Sequence, residues 1–471
     1  MSGTRNVLQI LPLNQGNNRY SFRAGIPQIT FEIPKTLKIL NGKSLRINGT
    51  MNVYLGDDSR PQNRMQTDSS ANDGQSAQID CRSGMSSVID YVQIQNLNGQ
   101  TYEFNKSYNR LAQAIMPTSE SFTSYSSAGM TATFGAAGKN KGQGRMCERP
   151  FSFSLPLLSG FLQGTSGIDL QLVQGLLITV QLQSPENCLQ NNFWHSSETD
   201  VNAVTILGSG AYYEITDVLL SAEVEIPSPQ GRQAMLNNSR GSWAYDAYNS
   251  FYTTLASADH SALLNINTRQ TKAIVANMIP STFLNNYNYP SGLCTQLLET
   301  STSAAGPIPA SSPKLTDGVT QKFYVFTRGG LRVPLDFELR SENTQEEGTP
   351  DSHKNYTELN TLREVWNLSN FLKSTRTELS LPHKDSLGAR VPPAFDYNNN
   401  RLNETLQDAE QQYLIGVNYD HISNLGISFV GTPVGVRIVS SLSANTPHSI
   451  FLFVKHQNVI ALDNGRVSII E

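Results

Sequence analysis

Charge is what this chain of 471 residues has least of: Asp, Glu, Lys and Arg make up 16%, against roughly 25% in ordinary globular chains. A charge-driven disordered chain and a coiled coil are thereby excluded. Cysteine is scarce as well. Cys81, Cys147, Cys188 and Cys294 include no C-x-x-C pair, so neither a zinc site nor a redox motif is signalled, and four thiols in such a length are no disulfide scaffold. Free thiols in a reducing compartment fit best. No apolar run approaches the roughly 18 residues of a membrane span. The opening MSGTRNVLQILPLNQ lacks the apolar stretch of a secretion signal and reads as none. Six N-x-S/T sequons, at Asn48, Asn105, Asn237, Asn355, Asn367 and Asn403, are about what chance supplies in a chain rich in Asn, Ser and Thr.

Catalytic signatures are lacking too. Gly135-Ala-Ala-Gly138-Lys139-Asn140 resembles a phosphate loop, but Thr133 stands where the first Gly belongs and Asn140 where Ser or Thr belongs. His195, His260, His353, His383, His421, His448 and His456 are scattered, with no pair at i, i+4. Asp57-Asp58 reads as a solvated loop pair, and nothing in the sequence pairs carboxylates as acid and base. Trp194, Trp243 and Trp366 read as core residues. The expectation is therefore no catalytic residue, no metal ligand and no cofactor, hence no enzyme.

What is present is amide and alternation. Asn and Gln alone form about 15% of the chain. Apolar residues recur with period two, the signature of half-buried strands: Leu45, Ile47, Gly49, Met51, Val53 and Leu55; Ile29, Phe31 and Ile33; Phe151, Phe153, Leu155 and Leu157; Ile178, Val180 and Leu182; Val218, Leu220, Ala222, Val224 and Ile226. The second half offers Leu331, Val333, Leu335, Phe337 and Leu339, with Pro334 marking an edge or a bulge, and then 450–454, 459–462 and 467–470 around an Asp463-Asn464-Gly465 turn. Helical spacing is rare. It occurs at Tyr108, Leu111 and Ile115, stopped by Pro117, and at Leu359, Leu362 and Trp366. Residues 57–80, 117–148 and 374–410 read as long loops.

The halves echo each other. A hairpin from Val88 to Phe104, turning at Asn98-Gly99, leads into the first helical segment; one from Phe323 to Leu339, turning at Gly329-Gly330, precedes the second. Two antiparallel β-sandwiches in tandem account for this. The division expected is an N-terminal arm at 1–19, a first sandwich at 20–227, a linker at 228–242 and a second sandwich at 243–471.

Four segments resemble the double jelly-roll major capsid proteins of eukaryotic DNA viruses, a group that includes Polinton-like viruses, virophages and giant viruses. They are MSSVIDYVQIQNLNGQTYEFNKSYNRL at 85–111, FSFSLPLLSGFLQG at 151–164 with IDLQLVQGLLITVQLQ at 168–183, YYEITDVLLSAEVEIPSP at 212–229, and the C-terminal HSIFLFVKHQNVIALDNGRVSIIE. Order and spacing carry the likeness, since the residues themselves serve packing and turns. The resemblance implies an all-β chain of two eight-stranded jelly rolls with short helices in the connections. It implies a structural role: homotrimers forming pseudo-hexagonal, hexon-like capsomers that tile an icosahedral shell. Partners would be the chain itself, neighbouring capsomers, penton and minor capsid proteins, and a host-surface receptor at the outer loops. The place would be the virion, after synthesis in the host cytoplasm and assembly there or in the nucleus. The alternatives are a carbohydrate-binding or adhesin β-sandwich, for which secretion and disulfides are missing, and a minor capsid protein.

One charge asymmetry stands out. Residues 1–50 carry Arg5, Arg19, Arg23, Lys35, Lys38, Lys43 and Arg46 against the single acid Glu32, a net of +6 in a chain whose total is −4. The plain reading is a solvated surface. The resemblance, which implies a chain start facing the particle interior, makes Arg5, Arg19 and Arg23 candidates for contact with genomic DNA or an inner membrane.

Overall fold

The computed structural model describes residues 3–15, 18–23, 25–54, 77–79, 84–119, 150–164, 167–191, 210–237, 240–255, 259–281, 284–287, 321–327, 332–333, 339–341, 383–384, 390–391, 415–419, 426–440, 447–463 and 466–470. In the first half, one sheet contains β1 (Thr4–Ile10), β2 (Arg19–Tyr20), β4 (Ile39–Leu40), β5 (Arg46–Tyr54), β9 (Phe151–Pro156), β10 (Ile168–Asp169) and β13 (Tyr212–Ile226). The other contains β3 (Gln28–Ile33), β7 (Ile89–Gln95), β8 (Thr101–Asn105) and β11 (Leu176–Leu182). A small pair, β6 (Ala77–Ile79) and β12 (Leu189–Asn191), lies apart.

The second half repeats this. One sheet contains β14 (Arg240–Leu255), β16 (Thr271–Pro280), β22 (Ile415–Asn418), β24 (His448–Asp463) and β25 (Arg466–Ile470). The other contains β15 (Asp259–Leu264), β17 (Gln321–Thr327), β18 (Arg332–Val333), β19 (Leu339–Ser341) and β23 (Val434–Ser440). β20 (His383–Lys384) and β21 (Arg390–Val391) pair with each other. Three α-helices are described: α1 (Tyr108–Ser119), α2 (Gly160–Gly164) and α3 (Pro229–Asn237).

The order of strands is the same in both halves. Count β1 with β2 as one interrupted strand, and β18 with β19 as another. Each half then has eight principal strands, in one sheet ordered first-eighth-third-sixth and another ordered second-seventh-fourth-fifth. The sheets are β1/β2-β13-β5-β9 with β3-β11-β7-β8, and β14-β24-β16-β22 with β15-β23-β17-β18/β19. First beside last, with four strands in each layer, is the wrapping of a rolled-up antiparallel ribbon. No strand pairing joins the halves among the described residues.

Alternation places the core as the sequence implies. On β5, Ile47 and Val53 are each 4% exposed, and Met51 is fully buried. Facing them, Phe31, Ile33, Ile94 and Ile178 are buried in the same cluster. β13 adds a feature that alternation hides. Tyr213 and Ile215 point inward, and so do Val218, Leu220, Ala222 and Val224, so the parity changes midway. Asp217 adopts φ 54, and the register with β5 shifts between Thr216 and Leu219. This bulge inserts one residue and so keeps both stretches apolar-inward.

Several elements differ from expectation. α1 runs two residues past Pro117; a proline this close to the C-terminus removes one i→i−4 hydrogen bond, and few turns remain beyond it to be disrupted. The two C-terminal strands at 450–454 and 459–462 are one strand of 16 residues, β24. The polar Lys455 and His456 between them are buried at 1% exposure rather than turned to solvent. Leu331 to Leu339 is not one strand: β18 and β19 pair at Val325 and Phe323 of β17, so the partner advances two residues where this stretch advances six. Pro334, which follows β18 in the sequence, cannot donate to a ladder. The linker at 228–242 contains α3, with Ser228 accepting from Gly231 N at 3.2 Å as its cap, and then the start of β14.

The segment 1–19 is no free arm. β1 lies in antiparallel register along β13, from Thr4 opposite Ile226 to Ile10 opposite Leu220. The chain then crosses to the other sheet, where Leu13 N donates to Thr30 O at 2.7 Å and Asn14 Oδ1 accepts from Thr30 N at 3.1 Å. Asn14 also donates to the Gln28 carbonyl. The N-terminal stretch is thus a strap joining the edges of both sheets. Of the expected loops, 57–80 contributes β6 and 374–410 contributes β20 and β21. The Leu359–Trp366 helical spacing, the glycine-rich 135–140 segment, Asp57-Asp58, Trp194 and Trp366 lie outside the described residues.

Candidate functional site

The two halves meet along a seam built by β8, α1 and α2 of the first and by β14, β16 and β24 of the second. The sequence FSFSLPLLSGF ends β9 and turns sharply at Ser159-Gly160-Phe161 into α2. Glu103 on β8 holds that turn. Its carboxylate, 4% exposed, accepts from Gly160 N at 3.0 Å, Phe161 N at 3.1 Å and Asn105 Nδ2 at 2.9 Å, and from the Ser159 hydroxyl. Burial raises the Glu103 pKa, and these four hydrogen bonds oppose the rise.

Glycine is required at position 160: a Cβ there would stand 1.7 Å from the carbonyl oxygen of Asp246 on β14. Phe161 stacks on Tyr102 with ring centroids 4.9 Å apart and meets Tyr245 edge-on at 5.8 Å. Tyr245 in turn donates to the Tyr102 carbonyl. Further along, Ser250 Oγ donates to Lys106 O at 2.7 Å. A cleft of 420 Å³ opens between β8 and β14, lined by Phe104, Tyr248, Phe251 and Asn458 among others.

The second half contributes ions. Asp246 receives Lys272 Nζ at 2.8 Å and Lys455 Nζ at 3.3 Å, with Lys455 only 1% exposed. By register, Lys455 shares a sheet face with Phe451 on β24 and Asn277 on β16. Both touch Arg110 of α1: its guanidinium lies 5.6 Å from the Phe451 ring centroid, and its carbonyl accepts from Asn277 at 3.3 Å. That face of β14-β24-β16 is therefore the one turned toward the first half. His456, next to Lys455, is pushed down to about 4 by burial, against the attraction of the Asp246 carboxylate.

The three arginines singled out from the sequence are not brought together. Arg5 is exposed on β1, in register with Glu225. Arg19 on β2 is exposed and stands opposite Thr216, beside the bulge. Nine residues of β13 separate those two partners, about 30 Å. Arg23 pairs with Glu186 and donates to Ala211 O at 3.2 Å, which makes it a tie within the first half. Sequence reasoning missed Glu103, Arg110, Asp246 and Lys455. The available signal was a charged residue at an inward or seam position of an otherwise alternating strand.

Other expectations can be placed. Cys188 is buried, and its thiol donates to Ser184 O at 3.4 Å; the other cysteines lie outside the described residues. Asn105, a sequon residue, is 1% exposed and bonded to Glu103 and to Leu158 O. Trp243 packs against the core. Among the described residues no group of three or more His, Cys, Asp or Glu could hold a metal ion, and no helix is long and apolar enough to cross a membrane.

Neither a protein-family model nor a curated protein matches the sequence. Solved structures do match the fold over its whole length. The capsid protein of the PBCV-1 virus capsid, in a quasi-atomic model, aligns over 100% of this chain and 98% of its own, with TM-score 0.55 and 11% identity. PBCV-1 VP54, fitted into a reconstruction of the virophage Sputnik, aligns over 100% and 98%, with TM-score 0.54 and 10% identity. The fold is the double jelly roll. The Faustovirus major capsid protein aligns over 98% of this chain and 91% of its own, with TM-score 0.52 and 11% identity. At these identities the shared property is the double roll itself, all-β with short helices in its connections, and the repeated strand order and the seam are this chain's version of it.

Proposed function

We propose that the chain is a major capsid protein, whose homotrimers present six similar rolls as a pseudo-hexagonal block and tile an icosahedral shell. The observation that carries this is the match along the whole chain, both rolls together, to capsid-protein folds. The seam supports it: Gly160 against the Asp246 carbonyl, the Phe161–Tyr245 contact and Arg110 against Phe451 and Asn277 join the two rolls as one block, as a tiling unit requires. The role is structural rather than catalytic: the Glu103 carboxylate is taken up by the 159–161 turn and the Asp246 carboxylate by Lys272 and Lys455. In this reading the partners are copies of the chain, neighbouring capsomers, penton and minor capsid proteins, and the place is the virion. The domain boundary falls in 228–242, with β1 joined to the first roll.

The basic positions keep a role here in reduced form. Arg5 and Arg19, both exposed, face the particle interior and meet DNA or an anionic membrane, while Arg23 stays with Glu186. Changing Arg5 and Arg19 to Gln weakens duplex-DNA binding at low salt and leaves the oligomer intact; unchanged DNA binding overturns this assignment. The capsomer reading is tested by the mass of the purified protein in solution and by negative-stain microscopy. A stable trimer seen as hexagonal blocks is expected, and a monomer at all concentrations sinks it.

A further inference from the structure

We propose that the cleft between β8 and β14 is a binding site for a small carbohydrate, a mono- or disaccharide. Such a site needs only the seam within one chain, so its failure and that of the capsomer reading are separate outcomes.

The cleft lies where two sheets end. β8 is the outermost strand of β3-β11-β7-β8, and β14 is the outermost of β14-β24-β16-β22. No ladder joins them among the described residues, so the gap is bordered by strand edges, whose outward N–H and C=O groups have no ladder partner. Because β14 is outermost, residues from both of its faces reach the gap: Tyr248 and Ser250 from one, Ala247, Asn249 and Phe251 from the other. The volume of 420 Å³ falls within the roughly 300–1,000 Å³ of ordinary small-molecule sites.

One wall holds an unanswered acceptor. Asn458 on β24 lines the cleft, is 6% exposed, and its Oδ1 makes no hydrogen bond. His456, two residues along the same face of β24, does not supply the missing donor. Neither of its ring nitrogens is hydrogen-bonded, and its imidazole is neutral above about pH 4. A buried acceptor without a donor costs stability, and native proteins keep few of them.

The exposed side is aromatic and cationic. Phe104 is 38% exposed, yet its ring is held: Tyr91 meets it nearly at right angles with centroids 5.3 Å apart, and Lys106 Nζ lies 5.0 Å from its centroid. Lys106 is exposed and forms no ion pair among the described residues. Phe251 adds a second ring and Asn249 a second amide. Glu103 also borders the cleft, but its carboxylate is taken up by the 159–161 turn.

An occupant must therefore donate to a buried amide oxygen, accept from an ammonium and lay an apolar face on aromatic rings. A sugar ring does all three. Each hydroxyl both donates and accepts, and the ring C–H bonds form apolar faces. A hydrocarbon would leave Asn458 unanswered, and a simple anion would leave the rings uncovered.

The test is binding of an array of neutral and acidic mono- and disaccharides to the purified protein, with calorimetry and a thermal melt for each hit. At least one sugar is expected to bind and to raise the melting temperature. Asn458→Ala should weaken that binding at least about tenfold. Its own melt should stay at or above that of wild type, because an unpaired buried acceptor is removed; an amide with a purely structural role would lower the melt and leave affinity unchanged. Phe104→Ala, which changes an exposed ring, should weaken binding by a similar factor. Benzoate is the control: if it binds and no sugar does, the cleft takes another class of ligand and the carbohydrate assignment fails. No binding by any sugar, or sugar binding that survives both substitutions, overturns it as well. Should Asn458→Ala fold poorly, Phe104→Ala alone decides: lost binding supports the site and retained binding overturns it.

Discussion

Two carboxylates stand on opposite sides of the seam, and they are seated differently. Glu103, in the first roll, is surrounded by neutral donors: two backbone N–H groups, an amide and a hydroxyl. Asp246, in the second, is surrounded by two ammonium groups. The first seat shapes a turn and would hold its geometry without a countercharge. The second is a set of charges withdrawn from water whose members depend on one another, so losing one leaves the others exposed to the full cost of burial. Local shape holds the first roll's side of the seam, and charge balance inside the second roll holds the strands that form the other side.

Asp246→Ala should show the largest effect. It strands Lys455 and Lys272 in the interior, and a broken buried pair costs about 3–5 kcal/mol. Denaturant melts of the variant should show that loss, and a change under about 1 kcal/mol would mean the ions are solvated.

Acid probes the same side. His456 titrates near 4 when folded and near 6.5 when unfolded. Between those values the unfolded chain holds the extra proton, so stability falls as pH drops from about 6.5 to about 4, by roughly 3 kcal/mol, and this contribution is flat below. His456→Gln should flatten that part of the pH profile, whereas an unchanged slope assigns it elsewhere.

On the first side, Gly160→Ala forces a methyl against the Asp246 carbonyl and should cost about 1–3 kcal/mol, the usual range for overpacking. Glu103→Gln keeps the volume but replaces an acceptor oxygen by a donor facing donors; about 1–2 kcal/mol is expected, with little change in salt dependence. A strong salt dependence would show that the Glu103 seat is ionic after all and would erase the contrast with Asp246.

Much of the fold was legible because burying one face of a sheet imposes period two on a sequence, and strands such as 28–33 and 46–54 follow it without exception on the inward side. The misreadings occur where another term overrides that rule. Lys455 and His456 looked like a break between strands because charge normally seeks water, and only the partner Asp246, more than 200 residues away, makes their burial tolerable. The parity change at Asp217 needs a bulge, which a single residue's identity does not announce. β1 was hidden by its composition: an edge strand with one face outward carries Arg5, Val7 and Gln9 there, and so reads as an arm. The seam residues could not be found from spacing, since their partners lie in the other roll.

β14 and β24 pair without interruption over sixteen residues, from Arg240 opposite Asp463 to Leu255 opposite His448. At about 3.3 Å per residue, this ribbon is about 50 Å long. Mechanically it is anisotropic. A pull along the strands loads every cross-strand hydrogen bond at once, so the ribbon resists as a single shear joint. A pull across them opens the pairs one after another from an end, like a zipper. A wall made of such ribbons is stiff along one axis and yields by peeling along the other.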